Sequence, residues 1–136
     1  MLKLILNKKY NPLFKSDARY YIITGGRGSG KSFAVTAFLT LLTMTKGIRI
    51  LFTRFTMVSA HLSIIPEFLE KIGLLGFENI FSVNKTEVLN TSNQSDILFR
   101  GIKTSAGNQT ASLKSLQGIS CWVLDEAEEL IDEDIF

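Results

Sequence analysis

Eight residues within the stretch RYYIITGGRGSGKSF constrain this chain more than any others: Gly25, Gly26, Arg27, Gly28, Ser29, Gly30, Lys31 and Ser32. They fit the phosphate-loop pattern G-x-x-x-x-G-K-S/T. Residues 20–24 before them are aromatic and β-branched and read as a short strand, and an apolar, helix-like run follows. A strand, a tight turn and a helix in that order form a cradle whose backbone amides turn inward on phosphate oxygens. A Cβ at the tight positions would obstruct it. Lys31 is placed to reach the β and γ phosphates of ATP, and the Ser32 hydroxyl to hold Mg²⁺. The helix starting near Lys31 adds free amides and its dipole to the same anion site. The alternative is a glycine-rich surface turn with no ligand.

At 136 residues, with 46% hydrophobic and 21% charged, the chain has the size and composition of one soluble domain with a real core. The single Cys121 excludes an internal disulfide framework and fits a reducing compartment. The longest uncharged run, residues 32–45, is 14 residues. A bilayer span needs about 20, so a buried helix and no membrane partner are expected. The net charge of +2 hides an asymmetry: residues 125–134 hold seven of the thirteen acidic side chains and no basic ones. Residues 1–124 carry fifteen basic against six acidic, a body that attracts polyanions.

Residues 1–19 read as a peripheral lead-in arm. Leu2, Leu4 and Leu6 alternate as in an edge strand or extended arm, and Asn11-Pro12 marks a turn. Tyr10, Leu13, Phe14 and Tyr20 either pack beside an adenine ring or cover the sheet edge. Residues 31–45 predict a helix apolar nearly all round, hence sandwiched, with Gly47 as C-cap. Residues 48–53 predict the next strand of a parallel sheet covered on both faces, which closes a βαβ unit. Arg54 stands just past its carboxyl end, the edge where ligands lie in open α/β sheets. A helix follows, N-capped by Ser59 and stopped at Gly73, with Pro66 threatening a kink or a later start. His61 reads as a helix-surface residue. Short strands at 80–83, 87–89 and 96–100 predict antiparallel hairpins grafted onto the parallel core. Residues 105–112 read as a polar loop. Residues 119–124 predict the last strand, which runs into Asp125, Glu126 and a short acidic helix.

About ninety residues beyond the phosphate loop, CWVLDE is placed to be the second nucleotide motif. Asp125 would hold Mg²⁺ through its water shell, and Glu126 would orient or deprotonate the attacking water. The plainer roles are a helix N-cap for Asp125 and a first-turn glutamate for Glu126. Arg27 inside the loop and Arg54 at the neighbouring strand end are the arginines placed to stabilise the transferring phosphoryl group. A surface salt bridge is the plainer role for either.

The segments YYIITGGRGSGKS, ILFTRFT, DILFRG and LKSLQGISCWVLDEAEE together resemble the ATPase domain of the large terminase subunit of tailed double-stranded DNA bacteriophages. The resemblance implies a P-loop NTPase of the additional-strand, catalytic-glutamate type. The expected fold is α/β, a three-layer α/β/α sandwich whose mostly parallel sheet carries inserted antiparallel hairpins. It further implies an ATP- and Mg²⁺-dependent motor that drives double-stranded DNA into a procapsid in the host bacterial cytoplasm. Its implied partners are other copies of itself in a ring, the portal protein and the small terminase subunit. Arg27 becomes the cis finger and Lys114, in LKSLQG, a trans-acting basic residue. Family members continue into a nuclease domain and a further central strand. Residues 20–136 are therefore expected to be an incomplete ATPase core, truncated at its C-terminus and without the nuclease. A helicase-like or other cellular ATPase, and a non-catalytic nucleotide-binding or assembly fragment, stand as the other readings.

Overall fold

The computed structural model describes residues 5–56, 60–102 and 116–129. Strand β1 (Arg49–Arg54) is the axis of a five-stranded sheet in which β2 (Phe81–Val83), β3 (Glu87–Asn90), β4 (Asp96–Gly101), β1 and β5 (Cys121–Leu124) lie in that order. β1 pairs in parallel with β4 on one side, Ile50 opposite Ile97, and with β5 on the other, Ile50 opposite Cys121. β3 pairs antiparallel with both β2 and β4.

The sheet is thus mixed, and the mostly parallel three-layer sandwich expected from the sequence is overturned. Two features account for the difference. The hairpin strands are not an insertion beside a parallel core; they continue the sheet itself through β4. The strand expected at residues 20–24 does not join it either: Tyr20 is 80% and Ile22 93% exposed. Aromatic and β-branched side chains favour a strand only where a pleated, half-buried surface receives them. Among the described residues no strand of the sheet receives residues 20–24, and Ile23 packs instead against the Tyr10, Leu13 and Ala34 cluster.

Alternation along the strands puts Ile50, Phe52, Val88, Ile97, Phe99, Cys121 and Val123 on one face. All of them join one core with Leu39 of helix α2 (Lys31–Leu42) and Ile64, Ile65, Phe68 and Ile72 of helix α3 (Ala60–Leu74). Both long helices therefore cover the same face. Phe52, Phe68 and Phe99 meet with ring centroids 5.4–6.0 Å apart. On the opposite face Trp122 stays 58% exposed and donates its indole N–H to Thr53 Oγ1 at 2.8 Å.

α2 is shorter than expected, ending at Leu42 with Gly47 left-handed in the turn that follows. Its outer side is covered by the lead-in, which is a 3₁₀ turn (Lys8–Tyr10) and a short helix α1 (Pro12–Lys15) with proline at its start. Tyr10 and Leu13 bury against Ala34, and Phe14 sits edge-on to Phe38 at 5.3 Å. The sandwiched helix is borne out; the edge strand or extended arm expected over Leu2, Leu4 and Leu6 falls mostly outside the described residues, which begin at residue 5. α3 runs through Pro66, which lies on its exposed side, so the proline does not delay the helix start. Ser59, the His61 side chain and residues 105–112 fall outside the described residues. No helix among the described residues is long and apolar enough to cross a membrane.

Polar groups fix what the apolar core leaves loose. The turn between β3 and β4 reaches over the C-terminus of α2: Asn90 and Asn93 each donate to Thr43 O, at 3.1 and 3.0 Å, and Ser95 Oγ to Thr45 O at 2.6 Å. These bonds satisfy the carbonyl of the C-cap Thr43 and that of Thr45 in the turn after the helix. Lys71 of α3 is 1% exposed, held by Glu67 and Glu70 at 3.2 Å each and over the Phe33 ring at 4.3 Å. Buried ammonium groups need such partners. At the amino-terminal edge, Arg49 grips the buried Asp96 with two bonds of 3.0 Å. That carboxylate raises the guanidinium's affinity for its proton above the ordinary value.

Arg49→Ala leaves Asp96 buried beside no cation and should lower unfolding free energy by about 2 kcal/mol, below the usual cost for a buried pair because Arg49 is itself half-exposed. Urea denaturation midpoints check this. Burial pushes the Cys121 thiol up, so less thiolate is present at a given pH. Alkylation by iodoacetamide at pH 8 should run slower than for free cysteine and reach the free rate in urea.

Candidate functional site

The loop of residues 25–30 turns tightly enough that Gly28 and Gly30 take φ of 76° and 78°, left-handed values costly for any residue with a Cβ. Gly30 is the residue from which α2 springs, and no side chain caps it. The first turn of α2 contains no acidic residue, so the positive end of its dipole is uncompensated from within the helix. Gly26, Arg27, Gly28, Gly30 and Ser32 are all exposed, leaving the loop open to solvent. Lys31 arches back over it, its ammonium donating to Gly25 O at 3.2 Å. From the protein side, Tyr10 donates its hydroxyl to Ser29 O at 2.9 Å. Ser29 Oγ is buried without a hydrogen-bond partner and packs so close to Gly25 that a Cβ there would stand 2.8 Å from it. The Lys31 ammonium and the uncompensated start of α2 thus meet at the open face of the glycine loop.

The second group gathers at the carboxyl-terminal edge of β1 and β5. Asp125 N–H donates to Thr53 O at 2.9 Å, carrying the ladder one residue past β5. Arg54, with a side chain only 15% exposed, donates from Nε to Asp125 Oδ2 at 2.7 Å. Its other nitrogens lie 3.8 Å from Glu126 Oε1 and 2.9 Å from Ser63 Oγ. Glu126 takes a φ of 52°. This left-handed turn swings the chain away from the strand direction into a 3₁₀ turn (Ala127–Glu129).

The structure thus unites Arg54, Asp125 and Glu126 at one strand edge and gathers Gly25 to Ser32, with Lys31, at the start of α2. Arg27 stands exposed on the loop, and Lys114 lies outside the described residues. Three contributors were not legible beforehand. Ser63 looked like an ordinary helix residue. Tyr10 was singled out as an aromatic, but nothing in its spacing gave its hydroxyl a partner. Asn90 and Asn93, which cap α2, carry no signal in the sequence that points to a helix end 47 to 50 residues earlier. Among the described residues no three His, Cys, Asp or Glu side chains cluster as a metal site.

Residues 17–136 match the family model described as phage terminase large subunit. The large terminase subunit of Bacillus phage SPP1 is 26% identical over 150 residues, an alignment that covers 99% of this chain and 34% of that protein. The chain therefore spans about a third of the length of the curated relative it matches. With the family model reaching over nearly all of its residues, from before the glycine loop to beyond the acidic pair, this chain belongs to the phage terminase large-subunit family.

Proposed function

We propose that this chain binds and hydrolyses ATP as the motor portion of a phage DNA-packaging terminase, powering movement of double-stranded DNA into a procapsid. The observation that carries the reading is the open glycine loop at the uncompensated start of α2, with Lys31 folded over it, in a chain of this family. The Lys31 ammonium would leave Gly25 O for the β and γ phosphates, while the loop amides and the first turn of α2 hold the remaining oxygens. Ser32 and Asp125 would hold Mg²⁺. A hydroxyl and a carboxylate are the hard oxygen donors this ion takes, and it needs few of them because it keeps most of its water. When bound, Mg²⁺ supplies charge neutralisation between the phosphates.

Glu126 is the base in this reading, orienting the attacking water. Arg54 serves as the residue that holds the acidic pair in place rather than as a free finger, because its guanidinium is largely buried against Asp125 and Ser63. Arg27, exposed on the loop, is the better placed of the two to reach a transferring phosphoryl group. Double-stranded DNA, further copies in a ring, the portal protein and the small terminase subunit are the partners that go with this function, in the host bacterial cytoplasm.

Lys31→Ala should weaken MgATP binding by about tenfold or more, the loss of a hydrogen bond to a charged group. Glu126→Gln should keep wild-type affinity and lower turnover by about a hundredfold or more. Calorimetry and phosphate release, with and without double-stranded DNA, measure both. Equal MgATP affinity for wild type and Lys31→Ala would remove the nucleotide site; undiminished turnover by Glu126→Gln would remove the base.

A further inference from the structure

We infer that Tyr10 is a positioning residue of the phosphate loop, its hydroxyl setting the direction in which the Gly30 amide points. This rests on the nucleotide reading above and adds a part of the chain that lies outside the loop. Tyr10 is 5% exposed, its ring buried with Leu13 and Ala34 under the lead-in, and the ring edge lies 3.8 Å from where a Cβ on Gly30 would stand. The hydroxyl ends on Ser29 O at 2.9 Å. A trans peptide is planar, so its C=O and N–H point in opposite directions. Fixing the Ser29 carbonyl on Tyr10 therefore fixes the Gly30 N–H away from the lead-in cluster, toward the open side of the loop.

The restraint matters because of what flanks that peptide. Gly28 and Gly30 allow the loop its left-handed turns, and the same lack of a Cβ leaves their peptides free to rotate. Ser29 Oγ, buried without a partner, gives that peptide no anchor of its own. Within the loop the one backbone bond onto residue 29 is Ser29 N–H to Gly26 O, long at 3.3 Å. The tyrosine hydroxyl is the shorter, part-buried tether on the next peptide. It holds an amide ready for a phosphate oxygen before any arrives, and a group arranged in advance binds with less loss of freedom.

The test compares Tyr10→Phe, which removes only the hydroxyl, with Leu13→Ala, which loosens the same cluster and leaves the hydroxyl in place. MgATP affinity is measured by calorimetry and thermal unfolding without nucleotide by calorimetric scanning. Tyr10→Phe should weaken MgATP by up to about fivefold, the loop now having to order on binding, while lowering its unfolding midpoint less than Leu13→Ala does. Leu13→Ala should lower the midpoint and bind nearly as wild type. The inference is overturned if Tyr10→Phe binds as wild type, or if Leu13→Ala loses affinity equally, since packing alone would then explain the effect. Lys31→Ala separates the two readings. Weakened binding by Lys31→Ala with none by Tyr10→Phe refutes the tyrosine alone, whereas a wild-type chain that does not bind MgATP refutes both.

Discussion

Helix α2 is tied down at both ends by hydrogen bonds from remote parts of the chain. At one end Asn90, Asn93 and Ser95 cover the carbonyls of Thr43 and Thr45; at the other Tyr10 holds Ser29 O. Between them the helix is packed on two sides, by the sheet-and-α3 core within and by α1 without, and Phe38 touches both clusters. Its own sequence gives it little purchase. Thr36, Thr40 and Thr43 turn their hydroxyls back onto carbonyls three or four residues earlier, a habit that favours bending over straight propagation. The helix stays where it is because its neighbours hold it, and the glycine loop inherits that placement.

A different logic governs the acidic edge. Two adjacent carboxylates repel each other, and Asp125 and Glu126 stand side by side at a strand end. Arg54 resolves this with one guanidinium aimed at both, at 2.7 and 3.8 Å, while Ser63 occupies a further nitrogen. The planar fork suits the task in a way a lysine would not, since it presents several donors at fixed angles. Glu126 also sits at a left-handed φ that a non-glycine residue adopts at some cost, a condition that recurs where chain direction serves a site.

Gly25 to Ser32 and the Asp125–Glu126 pair could be singled out because each is a run of consecutive residues, and the roles given to them are those of the proposal. The positions of β1, β3, β4 and β5 were also close, since short apolar runs bounded by polar turns leave few alternatives. What failed was the sheet's character. Residues 20–24 have the composition of a strand, yet composition says nothing about which neighbour supplies the ladder, and Ile22 ends up exposed. The hairpin was foreseen as antiparallel, but its fusion with the parallel strands through β4 depends on pairing between residues some fifty positions apart. Tyr10 and Asn90 show the same limit in miniature. Their side chains were visible; their partners were set by tertiary structure.

The cap on α2 carries a consequence for how the chain acquires its shape. Its bonds join residues 47 to 50 positions apart, across β1 and all of α3. Contacts of that span close large loops and form after local structure has arisen. The end of α2 is therefore completed by residues that lie beyond β1 and α3 in the chain. TSNQS, with the outward look of a tolerant surface turn, supplies Asn93 and Ser95 to that cap, so an inserted residue there would be felt at the end of a helix it never neighbours in sequence.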